Sequence, residues 1–251
     1  LEHVRGHRGS IDECGGYARV HRVFPAATIP CTKTIYNMLW ANKLSFTVLD
    51  LPRALSRKPR KLRSRKNKRR LGRNIEERPE KVYTLEEFGI LESDTVIGKK
   101  QGREAVIFTA VEKKSRKYIA IKIPSRTCTG VAVAMQKLKE YYREHFHEIF
   151  KTITPDNGPE FEDFSTYEAA GSKIYFPHPY SPFERPQNER HNGLLREYLP
   201  KGISITRYSE EEILHFADEI NARPCRILGY RTADEVFDEF LDEVYAIKGC
   251  A

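Results

Sequence analysis

No stretch of this chain stays apolar for the ~18 residues that a membrane-spanning helix needs. Nothing near its start has the basic, apolar and small-residue order of a secretory leader. The chain opens on Leu1 rather than Met, as a fragment or a processed chain would. Cysteine is sparse: Cys14, Cys31, Cys128, Cys225 and Cys250 are scattered and odd in number, with no Cys-x-x-Cys among them. That argues against a disulfide framework and for a reducing compartment. His3 and His7 precede Cys14 and Cys31, but without a close cysteine pair they lack the ligand spacing of a zinc knuckle. Acidic residues are missing altogether from Arg53 to Arg73, where Lys and Arg crowd together.

What is present suits a polyanionic partner. The 251 residues carry a net charge of +8, with 39% hydrophobic and 31% charged residues, so a sizeable core and a highly charged surface are both expected. A basic balance of this size favours nucleic acid or an anionic membrane surface. The run Arg53 to Arg73 joins two segments that read as folded, so it is expected to be an interdomain linker that tracks a phosphate backbone. Its Arg63, Arg65, Lys66, Lys68, Arg69 and Arg70 are the candidate phosphate contacts. Upstream, residues 1–27 have weak periodicity. Ile35, Met38, Leu39 and Leu44 then give a helical stripe, with Thr32 as the N-cap and Asn42 as the stop. Two readings of this helix stand equal: a small packing helix, or the second helix of a helix-turn-helix with Lys33, Thr34 and Asn37 facing DNA.

From about residue 88 the pattern becomes regular. Strands are expected over 88–97, 105–111, 118–123, 150–154 and 173–176, and helices over 130–146, 160–170, 187–198 and 209–221. Ser209 with Glu212 three residues on forms a capping box. Three strands, then a helix, strand, helix, strand and long helices, describe an α/β fold: the ribonuclease H-like mixed five-stranded sheet flanked by helices. This match is an analogy at fold level and says little about substrate. The expected organisation is a helical DNA-binding segment over 1–52, a basic linker over 53–82, a catalytic core over 83–240 and a tail over 241–251.

Three acids stand out as a set. Asp94 lies in Glu92-Ser93-Asp94-Thr95-Val96-Ile97-Gly98, Asp156 in Thr154-Pro155-Asp156-Asn157-Gly158, and Glu189 in Asn188-Glu189-Arg190-His191-Asn192-Gly193. Each alone is unremarkable, and Asp-Asn-Gly is a common turn. Together, one near the end of an early strand, one after a later strand and one in a helix, they form a set able to hold two divalent cations, a general solution to phosphodiester cleavage or joining. Like-charge repulsion among gathered carboxylates raises their pKa values unless a cation is present. Arg185, Asn192 and Arg196 lie four before, three after and seven after Glu189, so a continuous helix puts them on its face. There they form a surface network or grip the phosphates beside the reacting one. The proline-rich stretch 177–186 reads as a rigid loop aiming that helix.

These segments resemble the IS thirty family of bacterial insertion-sequence transposases, within the superfamily of transposases and integrases that use two Asp and a Glu. The resemblance runs through the motifs just quoted and through Pro159-Glu160-Phe161, Pro179-Tyr180-Ser181-Pro182, Pro200-Lys201-Gly202, Asn221-Ala222-Arg223-Pro224 and Leu228-Gly229-Tyr230-Arg231-Thr232, covering roughly residues 28–240. It implies an active site of Asp94, Asp156 and Glu189 that takes two Mg²⁺ ions, with Mn²⁺ as substitute. It implies cutting at terminal inverted repeats and strand transfer into target DNA, with Arg196 contacting the element end. The implied partners are double-stranded DNA, both transposon ends and target, and further copies of the chain, at least a dimer on DNA. No membrane is implied, and the expected location is bacterial cytoplasm, associated with the nucleoid. Two departures from the family pattern are Pro186, where Gly is usual, and Cys225, where a basic residue is common. The alternatives are a catalytically inactive or co-opted DNA-binding relative, and a retroviral-type integrase or nuclease of the same fold.

Overall fold

The computed structural model describes residues 9–51, 71–79, 87–99, 104–178, 181 and 184–249. Arg63, Arg65, Lys66, Lys68, Arg69 and Arg70 of the basic run lie outside the described residues, as does much of the proline-rich loop. The described chain forms two compact units. One joins residues 9–51 to residues 222–236, and the other takes the remainder. Among the described residues no helix is long and apolar enough to cross a membrane.

The smaller unit is helical. Helix α1 (Ile11–Val20) starts at Ser10, whose hydroxyl accepts from the Glu13 amide while the Glu13 carboxylate accepts from the Ser10 amide. This capping box, Ser10-x-x-Glu13, is the signal that weak periodicity concealed. Helix α2 (Thr32–Trp40) is capped by Cys31 rather than Thr32, whose hydroxyl instead donates to Asp12 at 2.9 Å. Asn42 ends the helix in the left-handed region at φ 53°. Residues 21–31 separate the two helices, longer than the three- or four-residue turn of a helix-turn-helix. Ile11, Leu39 and Phe46 make the small core. The segment 222–236, which patterning groups with the catalytic core, completes this unit. Tyr230 lays its ring where a side chain on Gly16 would stand and donates to Asp12 at 3.2 Å.

The larger unit is built on β1 (Ile90–Val96), β2 (Val106–Glu112), β3 (Tyr118–Ile123), β4 (Thr152–Thr154) and β5 (Lys173–Ile174), in the order β3-β2-β1-β4-β5. β1 is central, antiparallel to β2 and parallel to β4, as the ribonuclease H-like fold requires. Alternate residues feed two cores because side chains alternate across a strand. Leu91, Phe108, Ala110 and Ile153 pack with α3 (Cys128–Tyr142), α4 (Phe146–Ile149) and the 3₁₀ segment Pro159–Ala170. Val96, Ile107, Val111 and Tyr118 pack on the opposite face with α5 (Pro186–Leu195) and α6 (Glu210–Asn221). Asn221 fastens α6 to β3: its side-chain oxygen accepts from the Tyr118 amide at 2.8 Å and its nitrogen donates to the Tyr118 carbonyl at 2.9 Å.

The expected tail over 241–251 is a correction. Helix α7 (Ala233–Gly249) runs through it, opened by a capping box between Thr232 and Glu235. Phe237, Phe240, Leu241 and Val244 lie one face apart along this helix and pack on the first core, which is what holds a segment of this composition helical. The helix expected over 160–170 is a 3₁₀ run.

Candidate active site

β1 is a central strand that is half polar. Glu92 and Ser93 are fully buried, and Asp94 follows. Burying such groups is costly without partners, so the partners locate the site. Glu92, Asp94 and Val96 share the face that meets α5.

Arg185, the residue before α5, reaches into this face. Its guanidinium donates to the Asp156 carboxylate at 2.5 Å and to the Ser93 carbonyl at 3.1 Å, and lies 3.8 Å from the Asp94 carboxylate. One cation therefore joins an aspartate of β1 to an aspartate just after β4. Burial pushes the Asp94 carboxyl up from 3.8 to about 6. Asp156 and Glu160 push the same way, while Arg185 and the Thr95 amide pull down. Tyr118 donates to the Asn192 side-chain oxygen at 2.9 Å, and the Asn192 nitrogen donates to Asp94 at 3.5 Å.

Glu189 is exposed on α5. Among the described residues, no group of three His, Cys, Asp or Glu side chains is gathered closely enough to hold a metal ion. The geometry thus brings Asp94 and Asp156 onto one cation and leaves Glu189 apart from them. Asn192, three residues after Glu189 on the same helix, reaches Asp94. The donor set is all carboxylate oxygen, which suits a hard divalent ion, and the aspartate pair already surrounds a positive charge.

Pro186, the departure from the family pattern, is the first residue of α5. Its fixed φ and missing amide hydrogen fit that position. The first free amides of the helix, from Gln187 and Asn188, both donate to Glu92 at 3.0 Å. Thr109 of β2 donates to the Asn188 side chain at 3.2 Å. His191 turns inward and donates to the Gln187 carbonyl at 2.7 Å, and burial pulls its pKa down to about 4, so it is neutral packing.

The chain is 37% identical over 212 residues to the probable transposase for insertion-like sequence element IS1161 of Streptococcus salivarius, covering 84% of this chain and 60% of that protein. It is 32% identical over 222 residues to the transposase for insertion sequence element IS4351 of Bacteroides fragilis, covering 84% and 64%. It is 31% identical over 168 residues to transposase InsI for insertion sequence element IS30A of Escherichia coli K12, covering 66% and 42%. These relatives are transposases of insertion sequences, in line with the motif resemblance to the IS thirty family. The chain spans about three fifths of the length of the first two of these transposases, at 60% and 64%. No protein-family model matches. Among solved structures, the catalytic core domain of BIV integrase aligns with a TM-score of 0.47 at 21% identity, over 62% of this chain and 98% of that one.

In this chain the residues expected to hold DNA divide. Lys33, Thr34 and Asn37 are exposed on α2. Arg185 and Asn192 point at the aspartates instead of outward. Arg196 donates to the Ile97 carbonyl at 2.7 Å and to the Leu199 carbonyl at 3.4 Å, tying α5 to the end of β1. The sequence reading missed Glu92 and Glu160. Glu160 is buried and accepts from Thr95 and from Arg126, each at 2.6 Å. The available signal was parity: Glu92 stands two residues before Asp94 on one strand, hence on the same face.

Proposed function

We propose that this chain carries out the cut-and-join chemistry of an insertion-sequence transposase: divalent-metal-dependent cleavage at terminal inverted repeats and strand transfer of the freed end into target DNA. The observation that carries the reading is the meeting of Asp94 and Asp156 on one guanidinium, that of Arg185, at the start of the helix that bears Glu189. Asp94, Asp156 and Glu189 would hold Mg²⁺ or Mn²⁺, with a side-chain movement bringing Glu189 to the pair. When bound, such ions activate the attacking water or 3′-hydroxyl and stabilise the leaving oxygen.

The chain's own residues do the rest. Arg185 keeps the two aspartates together and offsets their repulsion. Asn192, oriented by Tyr118, holds one Asp94 oxygen in place. Lys33, Thr34 and Asn37 on α2, with the basic run Arg53 to Arg73, would bind double-stranded DNA, both element ends and target. Joining two ends calls for at least two copies on the DNA.

The test is nicking of supercoiled DNA in magnesium, with Asp156→Ala as control, followed by joining of a donor that bears inverted repeats. Magnesium-dependent nicking and joining lost in D156A is the expected result. Equal nicking by both proteins refutes the active site. Nicking without end joining reassigns the chain to a nuclease of the same fold.

A further inference from the structure

Helix α5 has an unusual start. Its N-cap residue is Arg185, which makes no side-chain cap hydrogen bond to the helix. A helix leaves its first amides without partners and favours negative charge beside them. Here the accounting closes by another route. Pro186 has no amide hydrogen, the Gln187 and Asn188 amides donate to one oxygen of Glu92, and the Glu189 amide turns to the Arg185 carbonyl at 3.5 Å. The cap is therefore supplied from the central strand, more than ninety residues away in sequence.

Glu92 is a costly residue for that task. It is fully buried at 0% exposure, in a place where a carboxylate contributes little to net stability compared with an apolar residue of similar size. What it supplies is position. Glu92 and Asp94 stand two apart on one strand face, about 7 Å along the strand, so the grip on α5 is set at a fixed step from Asp94. Asn188, gripped by Glu92 through its amide and by Thr109 through its side chain, is the immediate neighbour of Glu189.

We propose that Glu92 is a positioning residue: by capping α5 from within the sheet, it fixes the depth and rotation of the helix and so where Glu189 stands relative to Asp94. This inference rests on the active site proposed above. The test uses the full chain with Glu92→Leu, which keeps the volume and removes the acceptor, and Glu92→Gln, which keeps an oxygen acceptor. Two quantities are read: exchange of the Gln187 and Asn188 amides, and kcat and KM for magnesium-dependent nicking. E92L is expected to exchange those two amides at least about tenfold faster than wild type. Its nicking kcat is expected to fall by about 10- to 100-fold with KM for DNA unchanged, the scale expected of a small misplacement of a reacting group. E92Q should recover most of both losses, which a general packing defect would not allow. Wild-type exchange and wild-type kcat in E92L overturn the proposal, as does an E92Q no better than E92L. Should E92L fail to fold, the amides in E92Q decide: protection within about threefold of wild type is expected, and exchange as fast as in an uncapped helix end overturns it. Wild-type protein that nicks nothing removes the active-site reading instead, and the exchange measurement still decides whether Glu92 holds the helix.

Discussion

Asp94 makes a sharp prediction about stability and pH. Its carboxyl, 25% exposed, is raised from 3.8 to about 6, chiefly by burial, so the folded protein holds the proton more tightly than the unfolded chain does. The unfolded state releases that proton first as pH rises, and stability must fall through the window between the two values. The contribution is fully present below pH 3.8 and gone above about 6. A gap of this size corresponds to about 3 kcal/mol between the two plateaus, of which about 2 kcal/mol is lost from pH 4.5 to 7.5. Glu92 and Glu112, also raised by burial, tilt the curve the same way, so the wild-type slope alone cannot isolate Asp94. Asp94→Asn isolates it, keeping the shape and removing the charge. In EDTA, D94N should exceed wild type by about 1 kcal/mol at pH 4.5 and by about 3 kcal/mol at pH 7.5. The assay is urea denaturation followed by far-UV circular dichroism. The single tryptophan, Trp40, lies in the helical unit and does not report on the sheet. Saturating magnesium at pH 7.5 should restore wild type and leave D94N unmoved. Wild-type and D94N curves that stay parallel from pH 4.5 to 7.5 would show that this carboxyl is not held protonated by its surroundings.

Other perturbations test other joints. Asn221→Ala strands the Tyr118 amide and carbonyl inside the protein and should cost roughly 2–4 kcal/mol in urea unfolding of the sheet unit; a loss below about 1 kcal/mol would mean the backbone finds other partners. Gly16→Ala puts a carbon 2.0 Å from the Tyr230 ring. Overpacking of this kind costs about 1–3 kcal/mol, and it should lower the melting of the helical unit seen by Trp40 fluorescence, whereas an unchanged midpoint would deny that contact. Neutralising Arg63, Arg65, Lys66, Lys68, Arg69 and Arg70 should reduce the slope of log affinity for DNA against log salt by up to about 5. An unchanged slope would make the basic run a passive tether.

Much of the fold was legible because local rules carried it. β3 is where alternation put it, and Ser209 with Glu212 caps α6 as the motif required. Helices α1 and α7 were written in the same code, as Ser10-x-x-Glu13 and Thr232-x-x-Glu235, and were missed because their apolar residues are few or fall where the chain was expected to have ended its core. Pro186 reads in sequence as an obstacle on the way to Glu189 and in the fold as a well-placed first residue of a helix, since its missing amide matters only where a partner is required.

The amino-acid order by itself determined most of the strands and helices, the basic balance and the motifs shared with insertion-sequence transposases. Those follow from periodicity, charge and motif, all properties of neighbours along the chain. Only the tertiary structure decided that Arg185 lies between Asp94 and Asp156, that Glu189 stands outside that pair, that Glu92 caps a helix from the central strand, and that residues 222–236 complete the N-terminal helices. Each of these joins groups tens to hundreds of residues apart. Their energies come from burial and from the need to satisfy polar groups away from water, which no local pattern records.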